Sequence, residues 1–348
     1  MTISGKEGPE FMESVYSNLG RPSKRVVVGP GWGLDNAVVS VGKGRVLIVT
    51  VDPVSVIPEF GMELSGWLSV HLIASDFTAS GVDPEFATFT YNFPRAMSEA
   101  QKKEFVRAVG SECKKLGVAI VGGNTGTYPG AGFTVIGTGS MFGTARDSKY
   151  VTPSMGQSGD AVLMTKQPAI EAVGSLALSF PGFLDEKVGR KTSAKARAVM
   201  AKCTTVEDAR AARKVGLGDG ALTSMHDATE GGVLGGLEEM ARASHHAFEV
   251  DTGEIPVDET TTQVCSSFGL DPLTTMGEGA LLLTCCPGAV SDLKKLMSRA
   301  KIPVTEIGTV KTGEGLLLTG PGGRKRKFVR GPDRYWPTYE RFVRQRTQ

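Results

Sequence analysis

The apolar runs of this chain are short, and glycines close them. From Gly44 to Asp52 the sequence reads Arg45-Val46-Leu47-Ile48-Val49-Thr50-Val51, a β-branched run behind a turn, which predicts a strand. Leu64 to Ser80 instead carries Leu64, Trp67, Leu68, His71 and Leu72 at helical spacing. Phe86 to Phe93 alternates as a strand, and Ser98 followed by Glu99 marks the start of a helix that runs to Leu116. Val118 to Val121 reads as a short buried strand and Phe133 to Phe142 as another. The 45 glycines form no low-complexity tract. They punctuate strands and turns interleaved with helices, the pattern of an α/β chain.

At Tyr150 to Gly159 the composition shifts to Pro, Ser, Gly and Thr, and then a similar order of elements resumes. A strand at Ala161 to Thr165 is followed by helical stretches from Ile170 and from Lys187 to Val215. A Gly-rich turn at His226 to Gly236 leads into a helix ending at Ala243, with strands near Phe248, Leu281, Val304 and Leu316 and a helix from Ala289 to Ala300. A chain of 348 residues also suggests two domains at roughly 150 residues each. The expected division is residues 1–152, residues 153–320 and a C-terminal tail, 321–348. No repeat of solenoid length is visible.

Several function classes drop out. Runs such as Val46 to Val49 and Ala280 to Leu283 fall far short of the ~20 apolar residues of a bilayer span. The N-terminus scatters Lys6, Glu7, Glu10 and Glu13 among isolated apolar residues and shows no signal-peptide core, so the expected location is the cytoplasm. Five cysteines without a C-x-x-C pair fit buried, reduced thiols better than a disulfide scaffold or zinc ribbon. From Pro321 onward nine Lys/Arg face Asp333 and Glu340, a net +7 that leaves the rest of the chain acidic. Such a tail can be a solvated appendage packed through Tyr335, Trp336 and Tyr339, or can meet an anionic partner. The acidic body carries no nucleic-acid module, so nucleic acid is not the expected partner.

Three carboxylates stand where regular elements meet loops. Asp35 follows Gly29-Pro30-Gly31-Trp32-Gly33, Asp52 ends the strand through Thr50, and Asp76 follows Ser75. Each alone reads as a cap or turn residue; together they suit Mg²⁺, which takes oxygen ligands from one or two carboxylates plus substrate phosphates. Val121-Gly122-Gly123-Asn124-Thr125-Gly126 reads as a strand ending in a glycine turn open to an anion, although no P-loop pattern is present. Met225-His226-Asp227-Ala228-Thr229-Glu230-Gly231-Gly232 opens a helix whose N-terminus can hold a phosphate or carboxylate, or can simply be capped.

The order of these elements resembles the aminoimidazole ribonucleotide (AIR) synthetase, or PurM-like, superfamily. The likeness rests on Asp35-Asn36-Ala37-Val38-Val39, Thr50-Val51-Asp52, Ser75-Asp76, Gly122-Gly123-Asn124-Thr125 and His226-Asp227-Ala228-Thr229-Glu230-Gly231-Gly232. In the second half it looks closest to the HypE group, through Gly269-Leu270-Asp271-Pro272-Leu273 and Gly277-Glu278-Gly279. The resemblance implies a two-domain α/β PurM-like fold and a homodimer whose N-terminal sheets join across the two-fold, with ATP and Mg²⁺ in a cleft beside it. It implies Asp35, Asp52 and Asp76 as metal ligands, and Gly31, Gly33, Gly122, Gly123, Asn124 and Thr125 at the nucleotide. Asp227 and Thr229 would face the reacting end.

Departures from the pattern accompany it. Asn36 and Asn124 stand where the family usually has Asp, which removes charge from a metal site. The chain ends Arg346-Thr347-Gln348, without the C-terminal Cys of the HypE group, and Glu230 replaces an Arg common there. The expectation is an ATP- and Mg²⁺-dependent enzyme acting on a small-molecule carbonyl, amide or phosphorylated metabolite of unassigned identity, with a protein partner possible. The alternative is a nucleotide-binding regulatory or maturation protein without robust turnover.

Overall fold

The computed structural model describes residues 9–320 and 323–347; Lys6, Glu7 and Pro321 lie outside the described residues. After helix α1 (Pro9–Tyr16), strands β1 (Val26–Val28), β2 (Ala37–Gly42), β3 (Arg45–Ser55), β4 (Phe86–Pro94), β5 (Ala119–Tyr128) and β6 (Val135–Arg146) form one sheet in the order β1-β2-β3-β6-β4-β5. Helices α2 (Gly61–Thr78) and α3 (Glu99–Leu116) cover one face of it. The strands alternate accordingly: Val46, Ile48, Phe89 and Tyr91 point toward Ile73, Phe77 and Phe105 in the core beneath the helices. Ser98 caps α3 in a reciprocal capping box with Gln101, as its position before Glu99 predicts.

Among the described residues no helix covers the other face of this sheet. On it Val51 is 60% exposed, and Val41, Phe86 and Val135 are exposed beside it.

The second sheet contains β7 (Ala161–Thr165), β8 (Leu222–Asp227), β9 (Ala247–Asp251), β10 (Leu281–Cys285), β11 (Val304–Lys311), β12 (Gly315–Thr319) and β13 (Lys325–Lys327), ordered β13-β12-β9-β11-β7-β10-β8. Its central strands are buried on both faces. Val162, Met164 and Leu282 pack under α8 (Gly232–Ser244), while Leu163, Leu281 and Leu283 pack under α7 (Val206–Ala212) and α10 (Val290–Arg299). The exposed Lys325-Arg326-Lys327 strand at one edge blunts further pairing. Helices α4 (Ile170–Ser179), α5 (Pro181–Val188), α6 (Arg190–Val199), α9 (Glu259–Phe268) and α11 (Tyr335–Thr347) build a separate apolar cluster. Among the described residues no helix is long and apolar enough to cross a membrane.

Four sequence expectations need correction. The helix expected from Lys187 to Val215 is broken at Gly189, whose φ of +82° no helix interior accepts, and again between Met200 and Thr205. The turn expected at His226 to Gly236 shrinks, because His226 and Asp227 end strand β8. The short buried strand with its glycine turn is instead one exposed edge strand, β5, that runs straight through Gly122-Gly123-Asn124-Thr125. A Cβ on Gly123 would lie 2.0 Å from the Phe89 carbonyl, so this glycine permits close approach to β4 and ends nothing. Finally, the tail is not an appendage: Tyr335 and Tyr339 are buried in the cluster with α4, α5 and α9.

Candidate active site

Strand β3 and helix α2 bring the three expected metal ligands together. Thr50 and Asp52 fall on the face of β3 turned toward α2, whose last turn presents Asp76. The Thr50 hydroxyl donates to the Asp35 carbonyl at 2.8 Å and lies 3.5 Å from an Asp76 oxygen. Asn36 is buried and donates its amide to the Asp76 carbonyl at 2.7 Å. The residue that departs from the family pattern therefore braces the end of α2.

The second domain adds carboxylates to the same place. Asp227 at the end of β8 and Glu278 before β10 are fully buried, and among the described residues no hydrogen bond of good geometry reaches their four carboxyl oxygens, although the Ser75 hydroxyl favours the charged form of Glu278. Burial, then the negative charges of Asp227, Asp52, Asp35 and Glu278, holds the Asp76 carboxyl well above the usual range. Glu278 is raised in the same way by burial and by Asp227, and Asp227 by burial and Asp35. Glu171, in the first turn of α4, is pushed up to about 8 by burial and by Glu230, Asp52 and Asp333. Such crowding is tolerable only if protons or cations offset it.

Asp35 is held from behind by His226. Its carboxylate lies 2.5 Å from His226 Nδ1, while Nε2 lies 2.9 Å from Glu239 on α8. Burial alone would lower the imidazole, but Asp35 and Glu239 outweigh it and push it up to about 10. Asp35, His226 and Asp227 have the mutual spacing of a metal-ligand group. Both imidazole nitrogens are already engaged, however, so His226 orients Asp35 and offers no lone pair to a metal.

These groups set a pH dependence. A carboxyl whose folded pKa exceeds its unfolded value stabilises the fold below the unfolded value and loses that contribution as pH rises through the folded one. For Glu171 the window runs from 4.5 to about 8, and for the raised His226 from 6.5 to about 10. Chelator-treated protein is therefore expected to melt at falling temperatures from pH 5 to pH 10, with added Mg²⁺ restoring stability most at the alkaline end. A flat profile in differential scanning calorimetry would show that the carboxylates are already compensated.

Residues 33–145 match the model of the AIR synthase related protein N-terminal domain, and residues 157–319 match that of the C-terminal domain. The chain belongs to the AIR synthase related family. Among its relatives, the carbamoyl dehydratase HypE of Rhizobium leguminosarum bv. viciae is 25% identical over 73% of this chain and 70% of its own length. A thiamine-monophosphate kinase of Nitrosopumilus maritimus is 27% identical over 77% and 80%. Two solved structures share the fold. The HypE–HypF complex matches with a TM-score of 0.72 and 20% identity over 93% of this chain and all of that one. HypE in complex with ATP matches with a TM-score of 0.69 and 20% identity over 95% and 96%.

Within this AIR synthase related fold the expected nucleotide residues do not all converge. Gly33, at φ +73°, lies where a Cβ would come within 2.6 Å of the Glu239 Cβ, so it lets the glycine loop pack on α8. Gly31 packs in the same loop against Leu34. Asp52, Gly139, Phe89 and Gly123 form one row across the sheet, which separates the Gly122–Thr125 segment from Asp52 by three strand spacings, roughly 14 Å. Thr229 sits half-buried at the turn, its carbonyl accepting from Gly232 and Gly277. Sequence reasoning assigned no role to His226, Glu239, Glu171 or Glu278. Glu278 had a signal in Gly277-Glu278-Gly279; Glu171, in an apolar helix, had none.

Proposed function

We propose that this AIR synthase related protein binds ATP with Mg²⁺ in the cleft between its two sheets. It would transfer the γ-phosphate to, or activate, a small-molecule carbonyl, amide or phosphorylated metabolite. The observation that carries this reading is the buried carboxylate pair Asp227 and Glu278, poorly supplied with hydrogen bonds, behind Asp35, Asp52 and Asp76. Clustered carboxylate oxygens suit a hard divalent cation. Asp35, Asp52, Asp76 and Asp227 would hold Mg²⁺, which supplies neutralisation of phosphate charge. His226 keeps Asp35 aimed, Asn36 keeps the end of α2 in place, and half-buried Thr229 would face the acceptor. ATP bound to a HypE of the same fold and the kinase relative support the nucleotide.

The reading includes a homodimer formed through the uncovered face of the first sheet. A role for Gly122, Gly123, Asn124 and Thr125 at the phosphates requires it, because within one protomer they lie far from Asp52. Val51→Asp would place a charge in the middle of that face. The expected result is a folded monomer by sedimentation at concentrations where the parent is dimeric; a dimer of unchanged stability would move the interface elsewhere.

The direct test is ATP consumption by the purified protein with a metabolite extract, with and without Mg²⁺. Mg²⁺-dependent consumption that rises with extract supports the enzyme. Mg²⁺-dependent binding without consumption would leave the regulatory reading, and binding indifferent to Mg²⁺ would overturn the metal assignment.

A further inference from the structure

One guanidinium from the basic tail touches three separate parts of the site. Arg330 Nη1 donates to Glu239 at 2.8 Å, the carboxylate that holds His226 and through it Asp35. Its Nη2 donates to the Glu230 carbonyl at 2.7 Å, inside the turn that carries Asp227 and Thr229. Its planar face lies 5.2 Å from the Trp32 ring, in the glycine loop that leads to Asp35. Three residues on, Asp333 accepts from the Gly231 amide at 2.9 Å and from the Tyr335 amide at 2.8 Å. The Thr275 hydroxyl is 3.4 Å from the same carboxylate.

Within the turn the Gly232 amide donates to the Thr229 carbonyl, and the neighbouring loop adds bonds from Gly277 to Thr229 and from Ala228 to Ala280, but none of these reaches the Asp35 loop. Gly231 and Gly232 both take positive φ, +84° and +63°, a conformation other residues rarely hold, and glycine is the residue with most backbone freedom to lose. The helix N-terminus that the sequence offered to a phosphate or carboxylate is occupied at Gly231 by the chain's own Asp333. A Cβ at Gly231 would meet the Arg330 guanidinium at 2.9 Å, so the small residue makes room for the arginine.

We propose that Arg330 and Asp333 are positioning residues that hold the Asp227–Gly232 turn and the Asp35 loop in register, making the C-terminal segment a working part of the active site. This rests on the ATP-dependent reading for its kinetic test, but the contacts stand independently of it. Helix α11 stays anchored by Tyr335, Tyr339 and Phe342, so point variants at 330 and 333 leave the tail docked.

The experiment compares the parent with Arg330→Ala, Arg330→Lys and Asp333→Ala. Arg344→Ala, which removes an exposed tail charge paired with Glu340, is the control. Two readouts are taken: Mg²⁺-dependent ATP consumption, and amide exchange across residues 228–235 by mass spectrometry. For Arg330→Ala and Asp333→Ala the expected kcat falls about tenfold or more, since a displacement of about 1 Å can cost that and more. KM for Mg·ATP should rise as well, because Asp35 and Asp227, which these residues hold in place, are the proposed Mg²⁺ ligands, while the melting temperature should stay near that of the parent. Exchange across 228–235 should quicken in both variants. Arg330→Lys keeps the charge but cannot span Glu239 and the Glu230 carbonyl while lying on Trp32, so it should resemble the alanine variant.

A parent-like Arg330→Lys would overturn the positioning role and leave only a charge effect. Equal losses in kcat, KM and melting temperature would reduce the segment to a structural brace, also against the proposal. If the parent consumes no ATP, the functional reading fails alone; unchanged exchange in Arg330→Ala then overturns this inference, and quickened exchange sustains it.

Discussion

Asp76→Asn raises the melting temperature of the metal-free protein while weakening Mg²⁺-dependent ATP binding. The two effects share one cause. Asp76 is raised by burial and by four neighbouring carboxylates, so its negative charge costs stability whenever no cation is present. Asn keeps the size and removes that charge. Because the parent carboxyl takes up a proton at lower pH and so relieves itself, the gain should grow as pH rises. Loss of a direct ligand should lower Mg²⁺ affinity by at least about 10- to 100-fold, the range already seen for outer-shell partners. A generic destabilisation moves both quantities the same way. Titrating Mg²⁺ at fixed ATP, beside calorimetry with chelator, separates the cases, and a variant that binds Mg·ATP like the parent returns Asp76 to a capping role. Asp227→Asn should behave alike, with a smaller stability gain because the His226 charge beside it offsets part of the crowding.

What the sequence could and could not show follows from the range of each interaction. Ser98 and Gln101 are three residues apart, so their capping box is local and readable in the chain. Asp35, Asp52 and Asp76 were recognisable as an ordered set, yet their convergence depends on Thr50 and Asn36 reaching across strand and helix, which no spacing displays. Glycine is ambiguous in kind: Gly123 satisfies a close approach between strands and looks in sequence like a turn. Glu171 and Glu278 acquire their character from burial and from carboxylates distant in the chain.

The family pattern singled out carboxylates that meet in the structure, and two positions that depart from it make contacts of their own. Asn36 has lost a charge and braces the Asp76 carbonyl. Glu230 stands where an Arg is common, and Arg330 from the tail binds its carbonyl. Local chemistry is thus redistributed across sequence-distant segments, which a reading of one motif at a time cannot follow.

The tail carries the second large expected effect. Counting its charges hides a helical pattern: Tyr335, Tyr339 and Phe342 recur at i, i+4 and i+7. That stripe packs with Phe180, Phe183 and Phe268, the Phe268 and Phe342 ring centroids lying 4.7 Å apart. Tyr335 is 2% exposed and its hydroxyl lies 2.6 Å from Ser175 Oγ. Tyr335→Ala removes a buried aromatic ring and should cost about 3–5 kcal/mol, as large-to-small aromatic changes do. Tyr335→Phe keeps the ring and loses only the hydroxyl contact, for about 1 kcal/mol, since the Ser175 hydroxyl still has the Ala172 carbonyl to donate to. Deleting residues 324–348 removes the whole stripe, so insoluble or molten protein is the expected outcome, against the folded dimer that a detachable basic tail would leave. Denaturant unfolding of the two point variants orders the effects. Equal midpoints for Tyr335→Ala and the parent would mean that α11 lies on the surface of a core already complete without it.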